Sequence, residues 1–248
     1  MIIYTASDKG DMLKNLEKSI KSLRKYYKDE IIVFLTPPLP NYLFMNNLEN
    51  NYGVCLNISN VNYTKPFRLK EGGRYGRYGE KIIAISKTKN DNVMFLDCDT
   101  IINSNPDVLF NYDFDFSARV APSFLNVNFN EWVKPFYEND CCVLPIFNAG
   151  CLVFKNKTNE FVGELAIKYF DDGKKIFSRD IGKQYQLDQF SISLAVSKLE
   201  LNIKYMGESE HGYRWMYDNP KSIIYHGSKN NIIKEFYRIF RGGYRYIS

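Results

Sequence analysis

The chain has 248 residues and a mass of 29.0 kDa, and with 45% hydrophobic and 25% charged residues it has the length and composition of a globular protein with a full core. A net charge of +5 suits an anionic ligand such as a phosphate, but the excess is too small to imply nucleic acid. Five cysteines, with Cys141 and Cys142 adjacent and no C-x-x-C, indicate neither a disulfide framework nor a zinc knuckle and read as reduced thiols.

Ile2 to Ala6 reads as a first strand, followed by the polar turn Ser7-Asp8-Lys9-Gly10 and an amphipathic helix from Met12 to Tyr27, with Leu13, Leu16, Ile20 and Leu23 on one face. Ile31 to Leu35 is a second strand, stopped by Pro37-Pro38. Strand, helix and strand at this spacing open a parallel nucleotide-binding fold, which puts a ligand at the strand ends around Thr5 to Asp8. Leu43 to Tyr52 reads as a short helix and Val54 to Ile58 as a third strand.

Next comes a basic, glycine-studded stretch, Glu71 to Gly79, containing Arg-Tyr-Gly twice. It does not sit at a strand-to-helix turn, so the dinucleotide fingerprint is absent. It reads either as a surface loop or as a lid carrying Arg74 and Arg77 toward phosphates. Lys81 to Ser86 opens a helix that leads into the apolar run Val93 to Leu96. Phe114 to Val120 and Ile146 to Phe154 read as further strands, flanking an aromatic stretch with Trp132 and Phe136. Glu160 to Phe170 and Asp188 to Lys198 read as helices, and Ile223 to Tyr225 as a last short strand.

No linker or composition break divides the chain, so a single domain over 1–248 is expected. The N-terminus lacks the apolar stretch of a signal peptide, and no run approaches the roughly 20 apolar residues of a spanning helix, so a cytoplasmic location is expected. The tail from Ile232 to Tyr246 alternates Lys234, Arg238, Arg241 and Arg245 with aromatics. It reads either as a packed C-terminal helix or as a peripheral contact with an anionic membrane.

The chemistry concentrates at Asp97-Cys98-Asp99, directly after the apolar run. In an extended segment residues i and i+2 point the same way, so Asp97 and Asp99 read as two ligands for one divalent cation, or as a solvated acidic pair in a strand-to-loop turn. Three later landmarks follow in order: Phe147-Asn148-Ala149-Gly150 opening a strand, Asp188-Gln189 at a helix start, and His226-Gly227-Ser228-Lys229 after a short strand.

Together these four landmarks resemble the GT-A glycosyltransferases, and most closely glycosyltransferase family 8, from Ile3 to Lys229. The resemblance implies an α/β, Rossmann-like GT-A domain with a mixed, mainly parallel sheet flanked by helices. It implies a metal-dependent enzyme that transfers a hexose from a UDP-sugar to an acceptor hydroxyl, with retention at the anomeric carbon. It further implies that Asp97, Asp99 and His226 ligate one Mn²⁺ or Mg²⁺; an imidazole beside carboxylates favours manganese. The plain reading of His226 is a hydrogen-bonded histidine ending a strand.

Nucleotide-sugar contacts implied by the resemblance fall on Ala6 and Asp8 at the base, on Lys81 at the donor phosphate or sugar, on Lys229 at the diphosphate, on Asn148, Ala149 and Gly150 beside the donor sugar, and on Asp97, Cys98 and Gly227. Asp188 and Gln189 are the implied catalytic pair near the anomeric carbon. Asp188 also fits a helix N-cap, and Lys81 and Lys229 also fit plain surface charges. The acceptor would be a glycan, glycolipid or protein, and no nucleic acid is expected. Lys229 follows His226 by only three residues and Asn230-Asn231 replaces the family's Pro-Trp, so Arg74 or Arg77 is an alternative phosphate contact. Two other readings remain: a sugar-1-phosphate nucleotidyltransferase, which should carry a longer glycine-rich loop after the first strand, and an inactive GT-A scaffold.

Overall fold

Alternate residues of the central strands enter different hydrophobic layers. Ile2, Tyr4 and Ala6 of β1 (Ile2–Ala6) join Met94 and Leu96 of β6 (Val93–Leu96) in one core, while Ile3, Val93 and Phe95 join the other. A sheet covered on both faces demands apolar side chains at odd and even positions alike, which is why these strands read as continuous apolar runs. The computed structural model describes residues 1–8, 10–58, 67–68, 75–76, 79–120, 147–176, 187–216 and 218–227. The loop arginines Arg74 and Arg77, Trp132 and Phe136, Cys141 and Cys142, Lys229 and the basic aromatic tail lie outside the described residues.

Along the chain, β1 is followed by α1 (Met12–Leu23), β2 (Ile31–Leu35), α2 (Tyr42–Tyr52), β3 (Val54–Ile58), β4 (Phe67–Arg68), β5 (Tyr75–Gly76), α3 (Gly79–Lys87) and β6. Then come β7 (Thr100–Ile102), a 3₁₀ turn (Pro106–Asn111), β8 (Phe116–Ala118), β9 (Cys151–Phe154), α4 (Thr158–Ile176), α5 (Leu187–Lys198), β10 (Ile203–Tyr205), β11 (His211–Tyr213) and β12 (Ile224–His226). The main sheet has seven strands in the order β10-β8-β9-β6-β1-β2-β3. Within it β3, β2, β1 and β6 run parallel, β9 is antiparallel to both neighbours, and β10 is parallel to β8.

The order β3-β2-β1-β6 places a topological switch at β1. The C-terminal ends of β1 and β6, side by side, therefore form the edge where such sheets bind ligands. A second sheet, β11-β12-β7, stands next to this edge, with β12 parallel to β11 and antiparallel to β7. The resulting α/β architecture, a mixed and mainly parallel sheet with helices, agrees with the class expected from sequence.

Several boundaries differ from the sequence reading. The first helix stops at Leu23, where the chain turns through hydrogen bonds from Arg24, Tyr26 and Tyr27 to Ile20 and Leu23, instead of running to Tyr27. The stretch read as one strand from Ile146 to Phe154 begins only at Cys151, because the preceding Ala149-Gly150 is a turn. Strands β7, β10 and β11 are three residues each, too short to leave a periodic signal in the sequence.

On one face of the sheet α3, α4 and α5 pack together. Gly163 of α4 lies directly against the α3 backbone: a Cβ there would fall 2.5 Å from Ser86 Cα and 2.6 Å from Ser86 N. Backbone cannot yield as a side chain does. Gly163→Ala is therefore expected to destabilise the protein by about 1–3 kcal/mol despite the better helix propensity of alanine. A urea titration checks this through a lower midpoint at unchanged slope.

Candidate active site

The acidic pair sits in a tight turn rather than on an extended strand. After Leu96 the Asp97 N–H donates to Gly150 O at 2.8 Å, and both the N–H and the hydroxyl of Thr100 return to Asp97 O, at 3.2 and 2.9 Å. Thr100 is itself tied by its hydroxyl to Ser19 (2.9 Å), and Ser19 to the Tyr4 hydroxyl (3.0 Å). This buried chain of hydroxyls fixes the turn to α1 and β1, and each polar group within it is satisfied. Cys98 donates its thiol to Thr5 O at 3.1 Å, fastening the turn to the end of β1, while Asp97 and Asp99 stay partly exposed.

Register brings the histidine to the acids. In the antiparallel pair of β12 and β7, His226 stands opposite Thr100, the residue after Asp99. Its Nε2 lies 3.2 Å from Asp99 Oδ1 and 3.7 Å from Asp97 Oδ2. The chain then turns at Gly227, whose φ of 97° is open to glycine at little cost, and the Gly227 N–H bonds Asp99 O at 3.0 Å. Beneath the imidazole lies Gly150, where a Cβ would come within 1.9 Å of His226 Cε1. Only a hydrogen at that position leaves room for the ring.

A third side chain completes this wall. His211 of β11, fully buried, stacks on His226 with ring centroids 5.6 Å apart and planes 15° apart, and Tyr213 meets His211 edge-on at 4.7 Å. Arg119 ties β8 to this wall: it donates to Asp218 and to His211 O, and lies 4.4 Å over the Tyr213 ring. Burial first, then His226 and Arg119, hold His211 well below the ordinary histidine pKa, so it is a neutral ring. Sequence reading missed His211, Tyr213, Arg119 and Asp218; the only sign was that His211 is one of just two histidines in the chain.

The Asn148-Ala149-Gly150 turn joins the other predicted residues. Asn148 Oδ1 accepts from Gly150 N (2.8 Å), and the Ala149 N–H donates to Gln189 Oε1 (2.9 Å). Ala149 O accepts from Lys81 Nζ (2.9 Å), which also lies 3.1 Å from Asp97 Oδ1 and 3.2 Å from Asp188 Oδ2. Asp188 is in the first turn of α5, one residue inside the helix, and its carboxylate lies against the Lys81 ammonium. Burial raises its pKa, Lys81 opposes that rise, and Asp97 adds to it.

Lys81 itself is buried, which would lower its pKa, yet Asp97 and Asp188 hold it above the ordinary lysine value. Ala6 closes β1, buried, and the exposed Asp8 follows it, with its N–H on Pro38 O at 2.7 Å. The structure thus gathers Asp97, Cys98, Asp99, Asn148, Ala149, Gly150, Lys81, Asp188, Gln189, His226 and Gly227 into one connected set, with Ala6 and Asp8 at the adjoining strand end.

The donor set fits one divalent cation. One atom each from Asp97, Asp99 and His226 lie within 4.8 Å of one another. Neighbouring ligands of an octahedral ion with bonds of about 2.1 Å stand about 3 Å apart, close to the 3.2 Å between His226 and Asp99. Charge agrees: the carboxylates Asp97, Asp99 and Asp188 against the ammonium of Lys81 leave two negative charges for a divalent ion to balance. In the metal-free protein that excess acts on the His226 imidazole. Burial would lower the His226 pKa, but Asp99 and then Asp97 raise it above the ordinary value. Asp99 shows the converse, lowered by His226 against the effect of burial.

The same arrangement of strands and helices occurs in known folds. Among solved structures, the galactosyltransferase LgtC in complex with donor and acceptor sugar analogs is similar over 100% of this chain and 97% of its own, at 13% identity and a TM-score of 0.60. Mouse xyloside xylosyltransferase 1 is similar over 94% of this chain and 98% of its own, at 11% identity and a TM-score of 0.54. The glycosyltransferase GlyE of Streptococcus pneumoniae is similar over 96% of this chain and 59% of its own, at 14% identity and a TM-score of 0.57. No family model and no curated protein matches the chain. The fold is GT-A-like, that of the glycosyltransferases its motifs resemble.

Two outcomes follow for metal binding. Gly150→Ala displaces the His226 ring and is expected to weaken Mn²⁺ binding by about tenfold or more, read by calorimetric titration of the nucleotide-free protein. Because His226 must lose its proton to ligate a cation, binding releases a proton and tightens with rising pH. The His226–Asp99 pair stabilises the metal-free fold most below the unfolded histidine value, and that contribution is lost as pH rises through the raised folded value. The Mn²⁺-induced rise in Tm should therefore be larger at about pH 8 than at about pH 6.

Proposed function

We propose that this protein is a metal-dependent hexosyltransferase of glycosyltransferase family 8, moving a sugar from a UDP-sugar to an acceptor hydroxyl with retention. One observation carries the reading: two carboxylates and an imidazole converge at the C-terminal edge of β1 and β6, the ligand edge of a fold shared along nearly the whole chain with sugar transferases.

Asp97, Asp99 and His226 would hold a Mn²⁺ or Mg²⁺, whose chemistry at this place is to neutralise charge growing on a diphosphate leaving group. The protein's own groups supply the rest. Ala6 and Asp8, at the end of β1, would meet the nucleotide base, the Asp8 carboxylate accepting from a uracil N–H. Asn148 and Gly150 line the turn between the cation site and the Gln189 amide, where a donor sugar would lie. The Asp188 carboxyl, held against Lys81, has oxygens that can accept from sugar hydroxyls, groups that are costly to bury unpaired.

A solved structure of LgtC carries a change at an active-site glutamine, and here Gln189, whose Oε1 accepts from the Ala149 N–H, would be the corresponding glutamine. Its oxygen is committed to the Ala149 N–H, which makes Gln189 a weak candidate for a nucleophile. The Asp188 carboxylate is likewise committed, to the Lys81 ammonium. Front-face attack therefore fits best: the acceptor oxygen bonds to the anomeric carbon as the bond to the leaving phosphate breaks, and that phosphate oxygen takes the acceptor proton. Among the described residues no helix is long and apolar enough to cross a membrane.

The test is hydrolysis and transfer from UDP-sugars with Mn²⁺, Mg²⁺ or chelator. Turnover should require the cation, and Asp99→Ala should lower kcat/KM on the order of a hundredfold or more. Turnover in chelator, or an Asp99→Ala enzyme as active as the parent, would sink the reading. Release of pyrophosphate from UTP and a sugar phosphate would instead mark a nucleotidyltransferase.

A further inference from the structure

Lys81 is the lysine that the sequence resemblance assigns to the donor phosphate or sugar, but its surroundings give its charge other work. An ammonium has three N–H donors. Lys81 Nζ lies 2.9 Å from Ala149 O, 3.1 Å from Asp97 Oδ1 and 3.2 Å from Asp188 Oδ2, with the Phe95 ring centroid 5.1 Å away. Among the described residues these three acceptors match its three donors, so a phosphate oxygen would have to displace one of them. The lysine is only 8% exposed, so a broken contact would leave a buried group unpaired.

The two acids come from different elements, Asp97 from the end of β6 and Asp188 from the first turn of α5. Each has an oxygen in contact with the same nitrogen, which places like charges close together in a shielded site. Without a cation between them they would repel or share a proton. A lysine suits the place better than an arginine, since a compact point charge with three tetrahedral donors can address two carboxylates and a carbonyl at once.

We propose that Lys81 is a positioning residue and not a phosphate ligand: it holds Asp97 toward the cation site and Asp188 toward the donor sugar, and fixes the distance between them. What the two acids then do rests on the transferase reading; the brace itself belongs to the free protein.

Two measurements on the full chain test this. The first is a thermal double-mutant cycle without metal or nucleotide. Lys81→Met should lower Tm by about 6 °C or more, because it strands two facing carboxylates. Adding Asp188→Asn removes one of those charges and should restore more than half of the loss; if Lys81→Met alone does not fold, a folded double variant is the same recovery. Additive losses, or a double variant that does not fold, overturn the brace.

The second measurement is UDP binding by calorimetry at saturating Mn²⁺, alongside sugar transfer. With Lys81→Met, UDP affinity should stay within about fivefold of the parent while kcat falls about tenfold or more. A larger loss of UDP affinity means that Lys81 holds phosphate, and overturns the proposal. A parent protein that binds no UDP would contradict the transferase reading, and the thermal cycle would still decide the brace.

Discussion

The pairing of β12 with β7 is the constraint on which the site depends. Those strands are three residues each, yet their register puts His226 opposite Thr100 and so brings an imidazole from near the end of the described chain to an acidic turn 127 positions earlier (226 − 99). A slip of one residue would turn the imidazole to the other face of the small sheet. The register is pinned at several places: the Gly227 N–H on Asp99 O, the Asn103 N–H on Ile223 O, and the Asn103 amide on Pro220 O and Ser222 O. Stacked His211 and the Arg119–Asp218 pair then fix the plane of the ring from behind.

Around that pairing, the turn from Asn148 to Gly150 works as a hub made largely of backbone. Its carbonyls receive Asp97 N–H and the Lys81 ammonium, its Ala149 N–H reaches Gln189, and its glycine leaves room for His226. Residues from β6, α3, α5 and β12 are thereby set against one short segment, which is how side chains far apart in sequence are held in a fixed relation. The helices α3, α4 and α5 support the arrangement from behind by close packing, with Gly163 allowing α4 to touch the α3 backbone.

Much of this was legible in the sequence, for physical reasons that can be named. The doubly covered strands β1, β2, β6 and β9 announced themselves as apolar runs, and the amphipathic α1 by its spacing of leucines and isoleucines. Asp97 and Asp99 stood out as two carboxylates one residue apart after an apolar run, and His226 through the resemblance carried by the four motifs in order. What sequence could not show was the means of their convergence. The acids meet in a turn rather than on an extended strand, and β7 and β11 are too short to have a period. Lys81 read as a contact for the donor phosphate or sugar, or as a surface charge; only the tertiary structure shows two carboxylates and a carbonyl closing on it. His211 and Arg119 left no pattern because their roles are set by neighbours distant in the chain.

The central claim is that the acidic turn and the last described strand grip one divalent ion between them. Anomalous diffraction from crystals of the protein grown with Mn²⁺ addresses it directly. The account predicts a single manganese peak within bonding distance of Asp97, Asp99 and His226. A peak bound elsewhere, or none at this turn under saturating manganese, would contradict it.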